Sequence, residues 1–173
     1  SSAWYQGRSR TRTAAHMRDV VPLLAGANAD GCPYRVLLVQ VEYAEGDPET
    51  YMVPVAYLAG SAAEELERVM PQSLVCRLSV AGQKAGDGGS PELELGVLHD
   101  ALSTPGFTRC LLDMFVTRGR SNSRMGSLQA EPDDLFAQLR GGEELLPVPS
   151  ETEVVTPSVT CSTRILVKYF RLV

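Results

Sequence analysis

The sequence predicts an α+β fold in which short helices pack on an antiparallel β-sheet. Two β-rich apolar runs, RVLLVQVEY and ETYMVPVAYL, flank a turn segment that contains Gly46, Asp47 and Pro48. Apolar side chains recur at every second position in both runs, which is typical of a half-buried hairpin. Later segments, beginning at Ser61 and Pro105, repeat apolar residues at helical spacing instead.

Composition limits the classes of function. With 173 residues, 44% of them hydrophobic, the chain is long enough to bury roughly two-thirds of its unfolded surface in a globular core. A net charge of −5 argues against nucleic-acid binding, because no long basic face is available. No apolar run approaches the length of a membrane span, and no signal peptide opens the chain, so we expect a cytoplasmic protein without a membrane partner.

The cysteines do not form a metal-binding pattern. Cys32, Cys76, Cys110 and Cys161 are scattered, with no Cys-x-x-Cys and no nearby histidine. We therefore predict no metal site and four free, mostly buried thiols in a reducing compartment.

The hairpin at 35–58 is the centre of the predicted sheet. One face of its strands carries Val39, Val41 and Tyr43, then Tyr51, Val53, Val55 and Tyr57. Pro54 has no N–H to donate, which places the second strand at an edge or makes Pro54 a bulge. A strand from His16 to Leu24 precedes the hairpin.

A helix and two strands follow the hairpin. Ser61 and Glu64 form a capping box, and the helix stops at Pro71. Its predicted apolar stripe contains Ala62, Leu66, Val69 and Met70. Strands are expected at 74–80 and 92–98, with a flexible linker at 81–91 rather than a phosphate-binding loop.

The second half of the chain predicts two more helices and a closing strand. Thr104 and Pro105 begin a helix that ends before Gly119, with Phe107, Leu111, Met114 and Phe115 on one face. The basic loop from Arg118 is expected to be a solvated turn, with anion contact as the alternative. Pro132, Asp133 and Asp134 begin the other helix, with Leu135, Phe136 and Leu139 inward. An extended connector at 147–157 leads to the strand RILVKYFRLV.

Catalytic side chains are scarce. His16 and His99 are the only histidines, and neither belongs to a nucleophile–base set; His99 beside Asp100 is interpreted as a surface pair or the approach to a helix. We predict no catalytic residue. Lys168 lies within the apolar closing strand, where a lysine either extends its charge to the surface or directs it to a defined site.

Several segments resemble the N-terminal part of bacterial maltokinases, including those fused to trehalose synthase. The opening WYQGRSR resembles the family's Trp-Phe-x-Gly-Lys-Ser/Gly-Arg, and the hairpin resembles its Leu-Leu-x-Val-x-Val-x-Tyr and Glu-Thr-Tyr-x-x-Pro strands. Further likenesses are Asp100-Ala101-Leu102, FAQLRG at 136–141 and RILVKYFR at 164–171.

The resemblance implies an architecture and an activity. Residues 1–89 would form the cap, a curved antiparallel sheet with a helix similar to cystatin or monellin. Residues 90–173 would begin the N-terminal lobe of a protein-kinase-like fold. Maltokinases transfer the γ-phosphoryl group of ATP to maltose and form maltose 1-phosphate for α-glucan synthesis.

The resemblance also implies a nucleotide-binding role for Lys168 and Ser158. Lys168 matches the strand lysine that holds the ATP phosphates in such kinases. Ser158 is the one match to a family run that turns over the phosphates, and Pro157 stands where a backbone donor would otherwise be. The catalytic Asp and the Mg²⁺ ligands belong to a C-terminal lobe that this sequence lacks, so we expect it to be inactive alone, with no tightly bound cofactor.

The expected partners follow from this interpretation. They are the C-terminal kinase lobe, a fused or separate trehalose synthase, and a second copy of the chain paired through the exposed edge of the closing strand. The alternative function is that of a stand-alone, non-catalytic module whose cap fold contacts protein or glucan.

Overall fold

A computed structural model describes residues 9–23, 33–81, 93–102, 104–141, 144–149, 158–161 and 165–168. In chain order its elements are β1 (Arg12–Pro22), β2 (Tyr34–Tyr43), β3 (Glu49–Ala59), α1 (Gly60–Val69), β4 (Leu74–Ala81), β5 (Leu93–Asp100), α2 (Pro105–Thr117), β6 (Arg120–Asn122), β7 (Ser127–Gln129), α3 (Asp134–Arg140), β8 (Pro147–Pro149), β9 (Ser158–Cys161) and β10 (Ile165–Lys168). The α+β class is confirmed.

Within these residues, five strands form an antiparallel sheet in the order β1-β2-β3-β5-β4. The predicted hairpin is β2–β3, in which Val39 lies opposite Tyr51 and Leu37 opposite Val53. Strand β5 belongs to the expected lobe from residue 90, but it lies between β3 and β4, which belong to the expected cap at 1–89. That division stays a prediction, but the sheet itself continues across residue 89.

The expectation that Pro54 marks an edge strand or a bulge is wrong. β3 is the central strand, and its register with β2 is regular at Pro54, opposite Val36. The carbonyl of Pro54 accepts from the N–H of Ala101, just after β5 ends. Because both backbone groups of a strand residue point to the same side, the missing N–H of Pro54 faces a position beyond the last residue of β5. No ladder bond within the β3–β5 pairing is lost there.

Helix α1 begins earlier than the sequence predicts, and the capping box does not form. Gly60 has φ +57° and turns the chain directly from β3 into the helix, with Ala59 at the N-cap and no side-chain cap bond. This places Ser61 inside the first turn. The buried position of α1 is Ala63, one residue after the predicted Ala62, and Val69 is 55% exposed.

Helix α2 contributes to the main core. Thr104 and Pro105 begin it as predicted, and Arg118, with φ 51°, ends it before Gly119. Phe107 and Met114 are buried against strand residues, and Phe107 meets Tyr34 edge-on, with ring centroids 5.8 Å apart. The buried members of this core cluster are Val21, Leu23, Val36, Ala56, Ala101, Phe107, Met114 and Ala130.

Helix α3 is capped as predicted but buries less than expected. The carboxylate of Asp133 accepts from the N–H of Phe136 at 2.8 Å. The ring of Phe136 contacts that of Phe115. Leu135 and Leu139, predicted to point inward, are 57% and 42% exposed, because α3 has only seven residues and reaches the fold mainly through Phe136.

A further correction concerns the thiols. Cys76 is exposed on β4 and Cys110 is half-buried in α2; both are free, so the expectation of mostly buried thiols is wrong for Cys76. Cys32 and the side chain of Cys161 lie outside the described part. So do Trp4, all of the predicted linker except Ala81, most of the connector and the chain after Lys168.

Candidate functional site

The two predicted nucleotide-binding positions lie opposite each other in a small sheet. β8, β9 and β10 form an antiparallel sheet in the order β10-β9-β8. In the β9–β10 pair, Lys168 is the direct Cα partner of Ser158. Directly opposed residues of antiparallel strands have Cα atoms about 4.5–5.5 Å apart. The register therefore brings the two positions together; the side chains of both lie outside what the structure describes, as does Pro157.

A cluster of polar and aromatic side chains lies at the β2–β3 turn. We call it the Arg10 cluster: Arg10, Tyr43, Glu49 and Tyr51. Nη1 of Arg10 donates to Oε1 of Glu49 at 2.7 Å, and the guanidinium carbon lies 3.6 Å from the ring centroid of Tyr43. Nη2 donates to the carbonyls of Glu45 at 3.0 Å and Asp47 at 3.1 Å. Arg10 thus holds both the strand and the turn.

The other oxygen of Glu49 is also occupied. Oε2 accepts from the hydroxyl of Tyr43 at 2.8 Å and from the hydroxyl of Tyr51. Both rings are buried. With donors on both carboxylate oxygens, Glu49 has little capacity left as a general base, so the cluster fixes the geometry of the hairpin rather than performing chemistry.

A second connection joins β1 to the β6–β7 hairpin. We call it the Asp19 latch: Asp19, Ser121, Ser123, Met125 and Pro22. Asp19 is 7% exposed and its Oδ2 accepts from the hydroxyl of Ser123 at 2.6 Å and from the N–H of Met125 at 3.3 Å. The hydroxyl of Ser121, which is fully buried, donates to the carbonyl of Pro22.

The latch alters the ionisation of Asp19. The hydrogen bond from Ser123, followed by backbone N–H donors, holds the pKa of Asp19 below its ordinary value, against the opposing effect of burial. The ionised form is therefore the one that the fold stabilises. The basic loop after Arg118, predicted to be a solvated turn, contains the β6–β7 hairpin, and its arginines at 118, 120 and 124 are exposed. The same hairpin also carries this contact through Ser123.

The geometry of His99 excludes one of its two interpretations, the surface pair; the other, the approach to a helix, is consistent with α2 beginning at Pro105. His99 is 2% exposed, in a central strand between Ala56 and Leu74, and is not part of a surface pair. Its Nδ1 lies 3.1 Å from the carbonyl oxygen of Asp100, whose side chain accepts from the N–H of Leu102. His16 is exposed, with Nε2 3.6 Å from Glu42. His16 and His99 lie on β1 and β5, which are separated in the sheet by β2 and β3.

The family is decided by comparison with known proteins. The family model of the maltokinase N-terminal cap domain matches residues 1–88, just over half of the chain. The chain belongs to this family. The resemblance of the N-terminal half to maltokinases is thereby confirmed, and the protein is maltokinase-related. Comparison with curated proteins gave no match.

Some of the features described above lie within the residues that match the maltokinase cap, and others lie beyond them. The Arg10 cluster lies entirely within residues 1–88, and it joins two of the segments that carried the resemblance, the opening motif and the Glu-Thr-Tyr strand. Asp19 lies within the match, but Ser121 and Ser123 lie beyond it. Strand β5 also lies beyond the match and yet completes the sheet. In this chain the sheet of the maltokinase cap therefore includes a strand from the segment that follows the matched residues.

Two further observations bear on function. Among the residues that the structure describes, no three His, Cys, Asp or Glu side chains are grouped so as to hold a metal ion. No helix in those ranges has the length and apolar content to cross a membrane.

The sequence pointed to Arg10 and Glu49 only as motif residues, and no local signal pointed to the Asp19 latch, since Asp19 and Ser123 are 104 residues apart.

Proposed function

We propose that this chain is the N-terminal part of a maltokinase-like sugar kinase, which transfers the γ-phosphoryl group of ATP to maltose. Membership of the maltokinase cap family is the observation that carries the proposal. In this role the five-stranded sheet is a rigid base, held by the Arg10 cluster, and the segment after residue 88 is built into it through β5 and the Asp19 latch.

In the proposed enzyme, Lys168 and Ser158 contact the nucleotide. The ammonium group of Lys168 places a positive charge against the ATP phosphates, and Ser158 supplies a hydroxyl beside it. Their direct opposition in the β9–β10 register supports this pairing. ATP would supply the phosphoryl group, and Mg²⁺ would neutralise the charge of the phosphates. Trehalose synthase, fused or separate, is the proposed partner of the cap.

The role of Lys168 can be tested by chemical labelling, because this sequence contains two lysines, Lys84 and Lys168, and Lys84 serves as an internal control. An amine-reactive acylating reagent, followed by peptide mass spectrometry, measures the labelling of each with and without Mg-ATP. We expect ATP to protect Lys168 and not Lys84, in the natural gene product that contains this chain. Equal labelling of Lys168 in both conditions would contradict its role.

The activity itself is tested separately. The natural gene product is incubated with ATP and maltose, and maltose 1-phosphate is measured. Lys168→Met should lower the rate strongly, and Lys84→Met, the matched control, should leave it unchanged. Formation of no sugar phosphate by the unaltered product would overturn the proposed function and would favour a non-catalytic module.

A further inference from the structure

The two edges of the five-stranded sheet are protected to different degrees. The register of β1 is interrupted twice, between Arg12 and Ala14 and between Met17 and Asp19. Its inward residue Asp19 also binds the β6–β7 hairpin. Bulges, charges and covering elements are the usual means by which an edge strand avoids pairing with another chain. β1 has all three.

β4 has much less protection. Its register with β5 is continuous from Cys76 to Ala81, after one irregularity at the start. The strand contains no proline and a single charged side chain, Arg77, whose Nε donates to Oε1 of Glu67 in α1 at 2.7 Å. Within the described residues, no strand pairs with its outer edge. Val75 and Val80 are 50% and 40% exposed, so the edge is apolar and nearly neutral.

The hydrogen-bond pattern shows which residues of β4 face outward. Since the N–H of Ala101 donates to the carbonyl of Pro54, the alternation of an antiparallel ladder directs the backbone groups of His99 and Val97 toward β3. Those of Leu98 and Gly96 are therefore directed toward β4.

The same alternation continues into β4. Cys76 and Leu78 lie opposite Leu98 and Gly96, so their backbone groups form the hydrogen bonds with β5. The backbone N–H and C=O groups of Arg77, Ser79 and Ala81 consequently point to the outer side of β4, away from β5. These three residues form a set with a small polar residue at its centre.

We propose that β4 is a self-association edge, at which the β4 strand of a second copy pairs antiparallel about a two-fold axis through Ser79. In this register Ser79 exchanges both backbone hydrogen bonds with its symmetry mate, and Arg77 pairs with Ala81 on each side. The arrangement is isologous, as a closed dimer requires. It joins the two sheets into one of ten strands.

Charge favours this register over one that is centred on Arg77. A two-fold axis through Arg77 would set two guanidinium groups directly opposite each other, which is unfavourable in a strand pair. The axis through Ser79 sets each Arg77 beside a small apolar residue while Glu67 of its own chain neutralises it. In this register a second copy brings no like charges together, because each Arg77 lies beside Ala81 of the other copy and keeps Glu67 of its own chain.

The test is sedimentation velocity of the whole chain over a range of concentrations. We expect a concentration-dependent dimer. Ser79→Pro removes the outward N–H and leaves the bonds between β4 and β5 intact, so the dimer dissociation constant should rise at least about tenfold. Ser79→Thr, the matched control, keeps the N–H and should keep the dimer.

Hydrogen exchange locates the interface and does not depend on the proline variant folding. In the unaltered chain, raising the concentration should slow amide exchange at Arg77, Ser79 and Ala81, with no change along β1. A chain that is monomeric at every concentration, or a dimer whose slowed amides lie elsewhere, would overturn the proposal. A dimer that a correctly folded Ser79→Pro variant retains would overturn it too.

Discussion

The hydroxyl of Ser123 lies 2.6 Å from Oδ2 of Asp19, and this contact ties the β6–β7 hairpin to the first strand of the sheet. Ser123→Ala removes the strongest donor to a buried carboxylate, which is left with backbone N–H groups alone. We expect a lower midpoint of thermal unfolding, by several degrees. Ser61→Ala, at an exposed position in α1, is the control and should change the midpoint little.

The same contact predicts a pH dependence. Because the pKa of Asp19 is lower in the folded state, its ionised form contributes stability that is complete above the ordinary carboxyl pKa of about 4 and is lost as the pH falls through the folded-state value. The stability difference between the unaltered chain and Ser123→Ala should therefore be constant from pH 7 to 5 and shrink below about 4. Urea unfolding at several pH values measures it; a difference that grows on acidification would contradict this assignment.

The Arg10 cluster predicts that a charge alone does not replace the guanidinium. Arg10→Lys keeps the positive charge but loses the fork that binds Glu49 and two carbonyls, and the stacking on Tyr43. We expect a loss of about 1–3 kcal/mol in the free energy of unfolding, measured by urea titration. Arg124→Lys, on the exposed turn of the β6–β7 hairpin, should change it by less than about 0.5 kcal/mol.

Gly96, in strand β5, lies against the ring of Tyr57. A Cβ atom there would come within 2.5 Å of the ring of Tyr57 and would also strike the carbonyl oxygen of Leu58. Gly96→Ala should therefore cost about 1–3 kcal/mol, since backbone must move to admit the methyl group. Gly126→Ala meets no atom within 4 Å and serves as the control. Equal stabilities of the two variants would show that the sheet yields at this point.

The strand order predicts where the chain can be shortened. β4 touches the sheet through β5, so a piece that ends at residue 88 retains β4 without its partner. We expect that piece to show no cooperative thermal unfolding of residues 74–81, and a piece that ends at Gly141 to retain it. Circular dichroism and amide exchange of the two pieces make the comparison; slow exchange in β4 of the shorter piece would refute the prediction.

Local patterns predicted most of the elements. The β2–β3 hairpin, β4, and both ends of α2 follow from period-two runs, turn residues and a proline at the first helical position, all of which act between near neighbours. The same kind of reasoning failed at Ser61, because the positive φ of Gly60 shifted the start of α1. It also failed at Leu135 and Leu139, since helical spacing does not say whether another element covers the helix face.

Long-range relationships were beyond these patterns. Nothing near Asp19 indicates that Ser123 will donate to it, and nothing in β4 indicates that β5 will lie between it and β3. Such pairings depend on the energy of the assembled core rather than on sequence neighbours. At the nucleotide-binding positions, resemblance supplied Lys168 and Ser158, while the register that opposes them came from the strand pairing alone.

The strand order also determines the order in which strands can pair while the chain is being synthesised. As the chain leaves the ribosome, β1, β2 and β3 can form their meander at once, but the edge of β3 from Val55 to Ala59 has no partner until β5 emerges some forty residues later. β4 then joins as one arm of a hairpin already attached to β5. For that interval the nascent chain exposes the unpaired apolar edge of β3, the kind of surface at which pairing with another chain competes with folding.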